Sequence, residues 1–508
     1  MYNMGLLDKL KHKSSDSNSK DTSFADSAST GTSAHPGPDS QVLGQNDIFR
    51  YRKQRGINLG SWFVLERWIC PQVFQGAASP GQSDFDVASG RNAKQTLESH
   101  WDAWIGEEDW KWIKERGFNS VRIPIGYYHL CGACPGVLDG TDFEPFLHVF
   151  EGAYARLIEA ISVAHRYGLG VLVAAGAQNA DAHSGLSTGK ASLFSTSANL
   201  RSTSLALRFL ASSLCRSPNV IGLELLNEPA NNGKLQKWYE STLSEIRTIV
   251  GPEFPIYVGD AWDTSHYAGW TGERRDFVVL DHHLYRCFTD QDKAMNGEQH
   301  AQRLRSEFAR TLKGQSDAAN GNLVVGEWSA SLDPRALHQG MSDGEKDRQR
   351  REFVRAELEI FETSTAGWWF WTYKKGEGWD AGWSAMDAAQ AEILPSWVGS
   401  RHFKGPPDRT VKDHELQRAH GAHVSYWQSH GGSPDPTAFA MGFSQGWDDA
   451  LIFLSDPNGP SEIGFISQWA RRRKMECKAR GKELGKTAWE WEHGFTQGVQ
   501  ACTMASLQ

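Results

Sequence analysis

The chain has 508 residues, of which 39% are hydrophobic and 22% are charged, and its formal net charge is −8. This composition is typical of a globular protein, and the mildly acidic balance argues against a nucleic-acid-binding protein, which needs a basic face. No apolar run is long enough for a membrane span, and the N-terminus lacks the apolar core of a secretory signal.

The N-terminal 45 residues are predicted to be disordered. Residues 11–40 are rich in Ser, Asp, Thr and Gly and have almost no large apolar side chains, so they cannot bury enough surface to offset the entropy of ordering. Residues 4–11 are weakly amphipathic, and so short a segment would make at most a weak contact with a membrane surface. We therefore expect the folded part to begin near residue 46.

From residue 56 onward, β-rich runs alternate with helical patterns. Strands separated by helices pair in parallel through right-handed crossovers, and eight such units close into a (β/α)₈ TIM barrel. The predicted strands are residues 56–59, 120–125, 168–174, 221–226, 255–258, 277–281, 323–326 and 367–371. Helical spacing of apolar residues covers residues 146–166, 200–215, 235–250, 298–312 and 345–362. The sequence thus predicts an α/β barrel over residues 46–400.

Residues 401–508 have no further runs of this kind. They contain the helical stretches 414–430 and 462–480, and we expect a helical extension packed on the barrel. A separate carbohydrate-binding module is the alternative, but such modules are mostly β-sandwiches and this region is not strand-like.

The cysteines indicate a reducing compartment. Cys131 and Cys134 form a CxxC motif, but no second pair and no nearby His completes a zinc site, and Pro135 follows where a redox motif needs a helix. The chain has seven cysteines and no N-x-[ST] glycosylation motif. We therefore expect free thiols and a cytoplasmic protein.

Two glutamates follow predicted strands at matching positions. Glu228 lies in the run LLNEP after the fourth strand, and Glu327 lies in the run VVGEW at the end of the seventh. Catalytic side chains of TIM barrels sit at the carboxyl ends of the strands, and a pair of carboxylates is what glycoside cleavage requires. The alternative is that each is a first-turn acid stabilised by a helix dipole.

Other strand ends supply further polar groups. Arg122 lies between apolar neighbours on the second strand, and such a cation is rarely buried unless paired; pairing with Glu327 would keep that carboxylate ionised. On the sixth strand, alternation puts His283 and Tyr285 on one face and His282 on the other. Because adjacent His side chains then point apart, we expect no metal site.

The eighth strand carries three tryptophans. Trp371 at its end would form an apolar floor under a bound sugar, since flat indole rings stack well on sugar faces. Trp368 and Trp369 could line the same cleft or fill the barrel core.

Around these residues, the stretches GINLGSWF, FNSVRIPIGYY, IGLELLNEP, LDHHLYRCF, VVGEWSASL and GWWFWTYKK resemble glycoside hydrolase family 5. The closer similarity is to the fungal exo-β-1,3-glucanase (glucan 1,3-β-glucosidase) group. The C-terminal stretches GWDDALIF, SEIGFISQWARRR and WEWEHGF resemble the intracellular branch of that group, which has no signal peptide.

The resemblance implies a role for each matching residue. Glu228 matches the acid/base, Glu327 the nucleophile, Asn227 the partner of the substrate 2-hydroxyl, and Tyr285 the hydroxyl beside the nucleophile. The substrate would be a β-glucan or another β-glucoside, with no cofactor and no metal. The full set of matching active-site positions is Arg122, Asn227, Glu228, His283, Tyr285, Glu327 and Trp371.

One stretch departs from the family pattern. After the third strand the family usually reads Asp-Leu-His-Ala-x-Pro-Gly-x-Gln-Asn, and its His lines the glucose subsite, whereas residues 174–179 read AAGAQN and the nearest His is His183. The main hypothesis is a retaining enzyme that releases glucose from the non-reducing end of β-1,3-glucan. The alternatives are a glucosidase acting on a steryl or ceramide glucoside, and a glucan-binding barrel with impaired catalysis.

Overall fold

A computed structural model of the chain describes residues 44–175, 192–337, 340–399, 403–481 and 484–507. Apart from residues 44 and 45, the segment predicted to be disordered lies outside the described residues. The stretch after the third strand that holds His183 also lies outside them.

Eight parallel strands form a closed barrel, in which each strand pairs with the next and the last pairs with the first. The TIM-barrel prediction is therefore confirmed. The strands are β1 (Gln54–Asn58), β2 (Ser120–Ile125), β3 (Gly170–Ala175), β4 (Val220–Glu224), β5 (Ile256–Gly259), β6 (Val278–Leu284), β7 (Leu323–Trp328) and β8 (Gly367–Phe370).

Helices surround the barrel and form the C-terminal region. Up to residue 400 they are α1 (Gln45–Tyr51), α2 (Asp84–Ala88), α3 (Ala93–Trp104), α4 (Glu107–Glu115), α5 (Leu147–Phe150), α6 (Ala153–Arg166), α7 (Ser197–Leu214), α8 (Leu235–Val250), α9 (Thr264–Gly272), α10 (Asp290–Lys293), α11 (Gly297–Arg303), α12 (Ala309–Ala318), α13 (Asp343–Ser364) and α14 (Ala385–Gln390). After residue 400 they are α15 (Arg409–Ser429), α16 (Pro436–Leu454), α17 (Ile466–Ala479) and α18 (Ala488–Ser506).

Most predicted elements occur with shifted ends, and two predicted helices are interrupted. The predicted helix over residues 146–166 is divided between α5 and α6 at Gly152, a residue that weakens helices by about 1 kcal/mol relative to Ala. The predicted helix over residues 298–312 contains a π-helical turn at Leu304–Phe308 between α11 and α12.

The C-terminal region is helical, but α16 and α18 were not predicted. Both carry glycines four residues apart, which lower helix propensity and obscure the pattern. A Cβ added at Gly442 would lie 2.0 Å from the Trp491 carbonyl oxygen, and one at Gly494 would lie 2.1 Å from the Phe439 carbonyl oxygen. Glycine is therefore what allows the two backbones to touch.

The C-terminal region also contacts the barrel. The Lys53 amide donates to the Glu462 carbonyl oxygen at 2.7 Å, and the ring centroids of Phe277 and Phe465 lie 5.1 Å apart. These contacts are of the kind expected of a packed extension, and the domain boundary at residue 400 stays a prediction.

Trp368 and Trp369 are core residues, with exposures of 1% and 0%. Trp369 packs directly over Gly56, where an added Cβ would clash with the indole. The seven cysteines are free thiols, and Cys131 and Cys134 are buried. Within the described ranges, none of the helices combines the length and the hydropathy needed to cross a membrane.

Candidate active site

The two predicted catalytic carboxylates meet at the carboxyl end of the barrel. Glu327 lies on β7 itself, whereas Glu228 follows β4 in a loop, because that strand ends at Glu224 and not at residue 226 as predicted. One carboxylate oxygen of each residue and a ring nitrogen of His283 all lie within 4.8 Å of one another. Both side chains are buried, with 9% of Glu228 and 5% of Glu327 exposed.

Glu327 is held by donors on both oxygens. Arg122 Nη1 donates to Oε1 at 2.7 Å, and the Tyr285 hydroxyl donates to Oε2 at 2.7 Å. Burial, followed by the negative charges of Glu327 and Glu228, raises the pKa of Tyr285 well above its usual range, so its proton stays available for donation. The arrangement fixes the Glu327 carboxylate through one donor on each oxygen.

The strand that carries Glu327 is shaped by a glycine. The pairing of β6 with β7 shifts register after His282, so that His283 pairs with Glu327 and Gly326 is left as the extra residue. A Cβ at Gly326 would lie 2.1 Å from an Asp281 carboxylate oxygen, so only glycine fits there. The Asn58 amide also donates to the Gly326 carbonyl oxygen at 2.9 Å and ties β1 to this bulge.

Glu228 occupies a strained position. Its φ is 41°, a left-handed conformation that costs a non-glycine residue on the order of 1–3 kcal/mol and that clusters at functional sites. The next residue, Pro229, packs over β5, where a Cβ at Gly259 would lie 2.8 Å from the proline ring. His283 Nδ1 lies 2.8 Å from Glu228 Oε1 and 3.4 Å from Glu327 Oε2, so it bridges the two carboxylates.

The histidines on β6 point apart, as predicted. His282 Nδ1 lies 2.7 Å from Asp260 Oδ2, away from the catalytic pair. Burial lowers the pKa of His283, but the charge of Glu327, the carboxylate of Asp281 at 3.7 Å and the hydrogen bond to Glu228 outweigh it and hold that pKa well above the usual range. His283 Nδ1 thus faces both carboxylates, and the raised pKa favours its protonated form.

Arg122 connects the site to the barrel interior. Its Nη2 donates to Asn227 Oδ1 at 2.6 Å and its Nη1 to Asn58 Oδ1 at 3.0 Å, in addition to Glu327. Its Nε and Nη2 donate to the two oxygens of Glu224 at 2.7 and 2.9 Å. Arg122 is fully buried and paired with carboxylates, as the sequence analysis expected of a cation at this position.

Trp371 lies directly after β8, 8% exposed, with its amide donating to the Trp328 carbonyl oxygen at 2.7 Å. It packs close to Gly60, where an added Cβ would lie 3.2 Å from the indole. It is thus at the same end of the barrel as the other predicted residues.

Several residues of the site were missed by sequence reasoning. Trp383 packs against Tyr285 with ring centroids 5.3 Å apart, and it also contacts Phe288 and Trp68, which are 60% and 43% exposed. The rings of Trp68, Phe288 and Trp383 form an aromatic rim beside Tyr285. The sequence shows that the chain is rich in aromatic residues, but not which of them come together at the site. Asn58 and Glu224 were missed as well, although a charge inside the apolar run of β4 was a usable signal.

The same groups are the candidates for a metal site. In the part of the chain that the structure describes, Glu224, Asp281 and His283 also bring ligand atoms within 4.8 Å of one another. Arg122 already forms ion pairs with Glu224 and Glu327, at 2.7 Å each. The positive charge of this buried guanidinium would repel a divalent cation bound to the same carboxylates. The expectation that no metal binds stays a prediction.

Two family models match the chain. Residues 87–377 match the cellulase model of glycosyl hydrolase family 5, and residues 408–506 match the C-terminal domain of glucan 1,3-beta-glucosidase 3.

Curated relatives and solved structures match it as well. Glucan 1,3-beta-glucosidase 3 of Schizosaccharomyces pombe is 31% identical over 89% of this chain and 96% of its own length. An uncharacterised glycosyl hydrolase of Saccharomyces cerevisiae is 28% identical over 91% of this chain and 93% of its own length. The crystal structure of rutinosidase from Aspergillus niger superposes with a TM-score of 0.52 at 18% identity, covering 68% of this chain and 98% of that one.

Proposed function

Because this chain belongs to glycosyl hydrolase family 5, we propose that it releases glucose from the non-reducing end of β-1,3-glucan with retention of anomeric configuration. It is a glycoside hydrolase, and its relatives include proteins named glucan 1,3-beta-glucosidase. The finer proposal rests on the geometry of the catalytic pair.

The separation of the two carboxylates carries this proposal. Oxygens of Glu228 and Glu327 lie within 4.8 Å of each other. Retaining glycosidases hold their carboxyl groups about 5–5.5 Å apart, whereas inverting enzymes need about 6.5–9.5 Å to admit a water between base and sugar. The short separation leaves no room for that water and favours double displacement.

In the first step Glu327 attacks the anomeric carbon while Glu228 donates its proton to the departing glycosidic oxygen. The glycosidic bond breaks and a glucosyl ester of Glu327 forms. In the second step Glu228, now a carboxylate, takes a proton from a water that attacks the same carbon. The ester breaks, β-glucose leaves, and both carboxyl groups return to their starting states.

The surrounding residues fit this sequence of events. Arg122 and Tyr285 position the Glu327 carboxylate, since each donates to one of its oxygens at 2.7 Å. His283 Nδ1 lies 2.8 Å from Glu228 Oε1 and can donate a hydrogen bond to it once Glu228 has become a carboxylate. Asn227 is proposed to bind the sugar 2-hydroxyl, and Trp371 to form the floor beneath the ring.

The aromatic rim supports a sugar substrate. Trp68, Phe288 and Trp383 present apolar ring surface next to Tyr285, and a glucan chain leaving the pocket can stack on it. A glucosylated lipid would place its glucose in the same site, so the site itself does not distinguish the two substrates. Activity assays on both substrates distinguish them. A barrel that only binds glucan is disfavoured, because a strained Glu228 and a fully paired Glu327 serve catalysis and not binding.

We also propose a cytoplasmic location, which the free thiols support.

The test is to incubate the protein with laminarin, p-nitrophenyl β-glucoside and a steryl glucoside, following products by proton NMR. We expect glucose as the first product from laminarin, appearing as the β-anomer before mutarotation. Oligosaccharides as first products would contradict exo action, and α-glucose would contradict retention. Turnover of the steryl glucoside without laminarin hydrolysis would move the assignment to the lipid substrate.

A further inference from the structure

A buried carboxylate that none of the proposed catalytic steps uses lies beneath the catalytic pair. Glu224 on β4 has an exposure of 0% and accepts two hydrogen bonds from Arg122, at 2.7 Å from Nε and 2.9 Å from Nη2. Two parallel bonds between a guanidinium and a carboxylate fix the plane of the guanidinium as well as its position. The orientation of Arg122 is therefore set from below by Glu224.

The other donors of Arg122 face the reacting groups. In that fixed plane, Nη1 reaches Glu327 Oε1 at 2.7 Å and Nη2 reaches Asn227 Oδ1 at 2.6 Å. Asn227 directly precedes Glu228 in the chain. A rotation of the guanidinium would thus displace the donor to the nucleophile and the residue next to the acid/base together.

We propose that Glu224 is a positioning residue for the hydrolytic reaction, acting through Arg122 to aim the nucleophile Glu327 and Asn227. The inference rests on the proposed function of this site. It assigns Glu224 no contact with substrate: its effect on rate passes through the guanidinium.

The placement of Glu224 is unfavourable for stability alone. It lies beside Asp281, with ligand atoms of Glu224, Asp281 and His283 within 4.8 Å of one another. Burial raises the pKa of Glu224 to about 7 despite the opposing charge of Arg122, so the folded protein holds this carboxyl at a cost. A costly buried acid next to catalytic groups is what a functional constraint produces.

The experiment compares Glu224→Gln with a matched control, Glu362→Gln. Glu362 accepts the same pair of bonds from Arg55, at 2.9 and 2.8 Å, but Arg55 has no contact with the catalytic pair. On p-nitrophenyl β-glucoside we expect Glu224→Gln to lower kcat about 10²-fold while KM stays within about threefold.

The control should keep the parental kcat and KM, even if its melting temperature falls. A Glu224→Gln protein with parental kcat would overturn the proposal. If that variant does not fold, Glu224→Asp keeps the charge but is too short for both bonds, and we expect about a tenfold loss of kcat with KM again within about threefold. Parental behaviour of Glu224→Asp would also overturn it.

A double-mutant cycle identifies the route of the effect. If Glu224 acts through Arg122, the variant Arg122→Lys with Glu224→Gln should be no slower than Arg122→Lys alone, within about twofold. Losses that multiply would mean an independent route and would contradict the proposal. A parent inactive on every glucoside would instead refute the proposed function and this inference with it, whereas an active parent with unaffected Glu224 variants refutes this inference alone.

Discussion

Arg122 at the catalytic end of the barrel and Arg55 at the opposite end make nearly the same contacts in very different surroundings. Each holds one glutamate through two hydrogen bonds and reaches a second glutamate, Glu327 for Arg122 and Glu462 for Arg55. Glu362, the partner of Arg55, is 32% exposed at its side chain, whereas Glu224 is fully buried.

The same pairing therefore has opposite electrostatic outcomes. Burial acts to raise the pKa of Glu362, but the charges of Arg55 and Lys53 outweigh it and lower that pKa to about 2. Burial raises the pKa of Glu224 to about 7, against the effect of Arg122. Arg55 thus joins elements of the fold at favourable energy, whereas the cluster around Arg122 carries an electrostatic cost that fits its proposed role in catalysis. An ion pair's contacts alone do not reveal its purpose.

The largest effect on the catalytic side should come from Glu228, the proposed acid/base. Glu228→Ala should lower laminarin hydrolysis by about 10³- to 10⁴-fold, because the leaving oxygen no longer receives a proton. An aryl glucoside with a very good leaving group needs no proton, so its first step should be nearly unaffected. Added azide should speed turnover and give the β-azide; an α-azide would mean inversion.

On the structural side, Arg55→Leu should mainly affect stability. It leaves Glu362 and Glu462 without their shared guanidinium. Because both carboxylates are partly exposed, the cost should be about 2–3 kcal/mol, below that of breaking a fully buried pair. Thermal unfolding should show the loss, while kcat of the folded fraction stays at the parental value. A fall in kcat as large as that expected for Glu224→Gln would contradict the claim that Arg55 serves stability alone.

Glycine contacts in the C-terminal helices should also affect stability alone. Gly442→Ala places a methyl group 2.0 Å from the Trp491 carbonyl oxygen, and we expect a loss of about 2–3 kcal/mol as α16 and α18 separate. Gly421→Ala on α15 meets no atom within 4 Å and should stabilise the protein by about 0.5–1 kcal/mol. Equal effects of the two substitutions in differential scanning calorimetry would contradict the close packing.

A smaller destabilisation should appear as a pH dependence of the Arg55 cluster. The pKa of Glu362 is lowered in the folded state, so its contribution to stability is present above about pH 4.5 and is lost as the pH falls toward 2. Allowing for solvent screening, Glu362→Gln should cost about 1–2 kcal/mol at neutral pH. Melting temperatures should show the gap between parent and variant closing below pH 4.5; a constant gap would contradict the assignment.

The barrel was predictable because its signals are local. The two carboxylates follow apolar runs, and alternation along β6 separated His282 from His283 correctly. Glu224 and Asn58 were missed because their meaning depends on Arg122, which lies on another strand. The helices α16 and α18 were missed because a glycine is unfavourable in a helix until a second backbone lies against it.

Labelling of the nucleophile tests the central claim most directly. A 2-deoxy-2-fluoro-β-glucoside with a good leaving group slows hydrolysis of the glucosyl ester, so the intermediate accumulates on the attacking carboxylate. Peptide mass spectrometry should then locate a fluoroglucosyl group on Glu327, with one label per chain and loss of activity in parallel. Labelling on Glu228 or another carboxylate, or inactivation without any covalent label, would contradict the account.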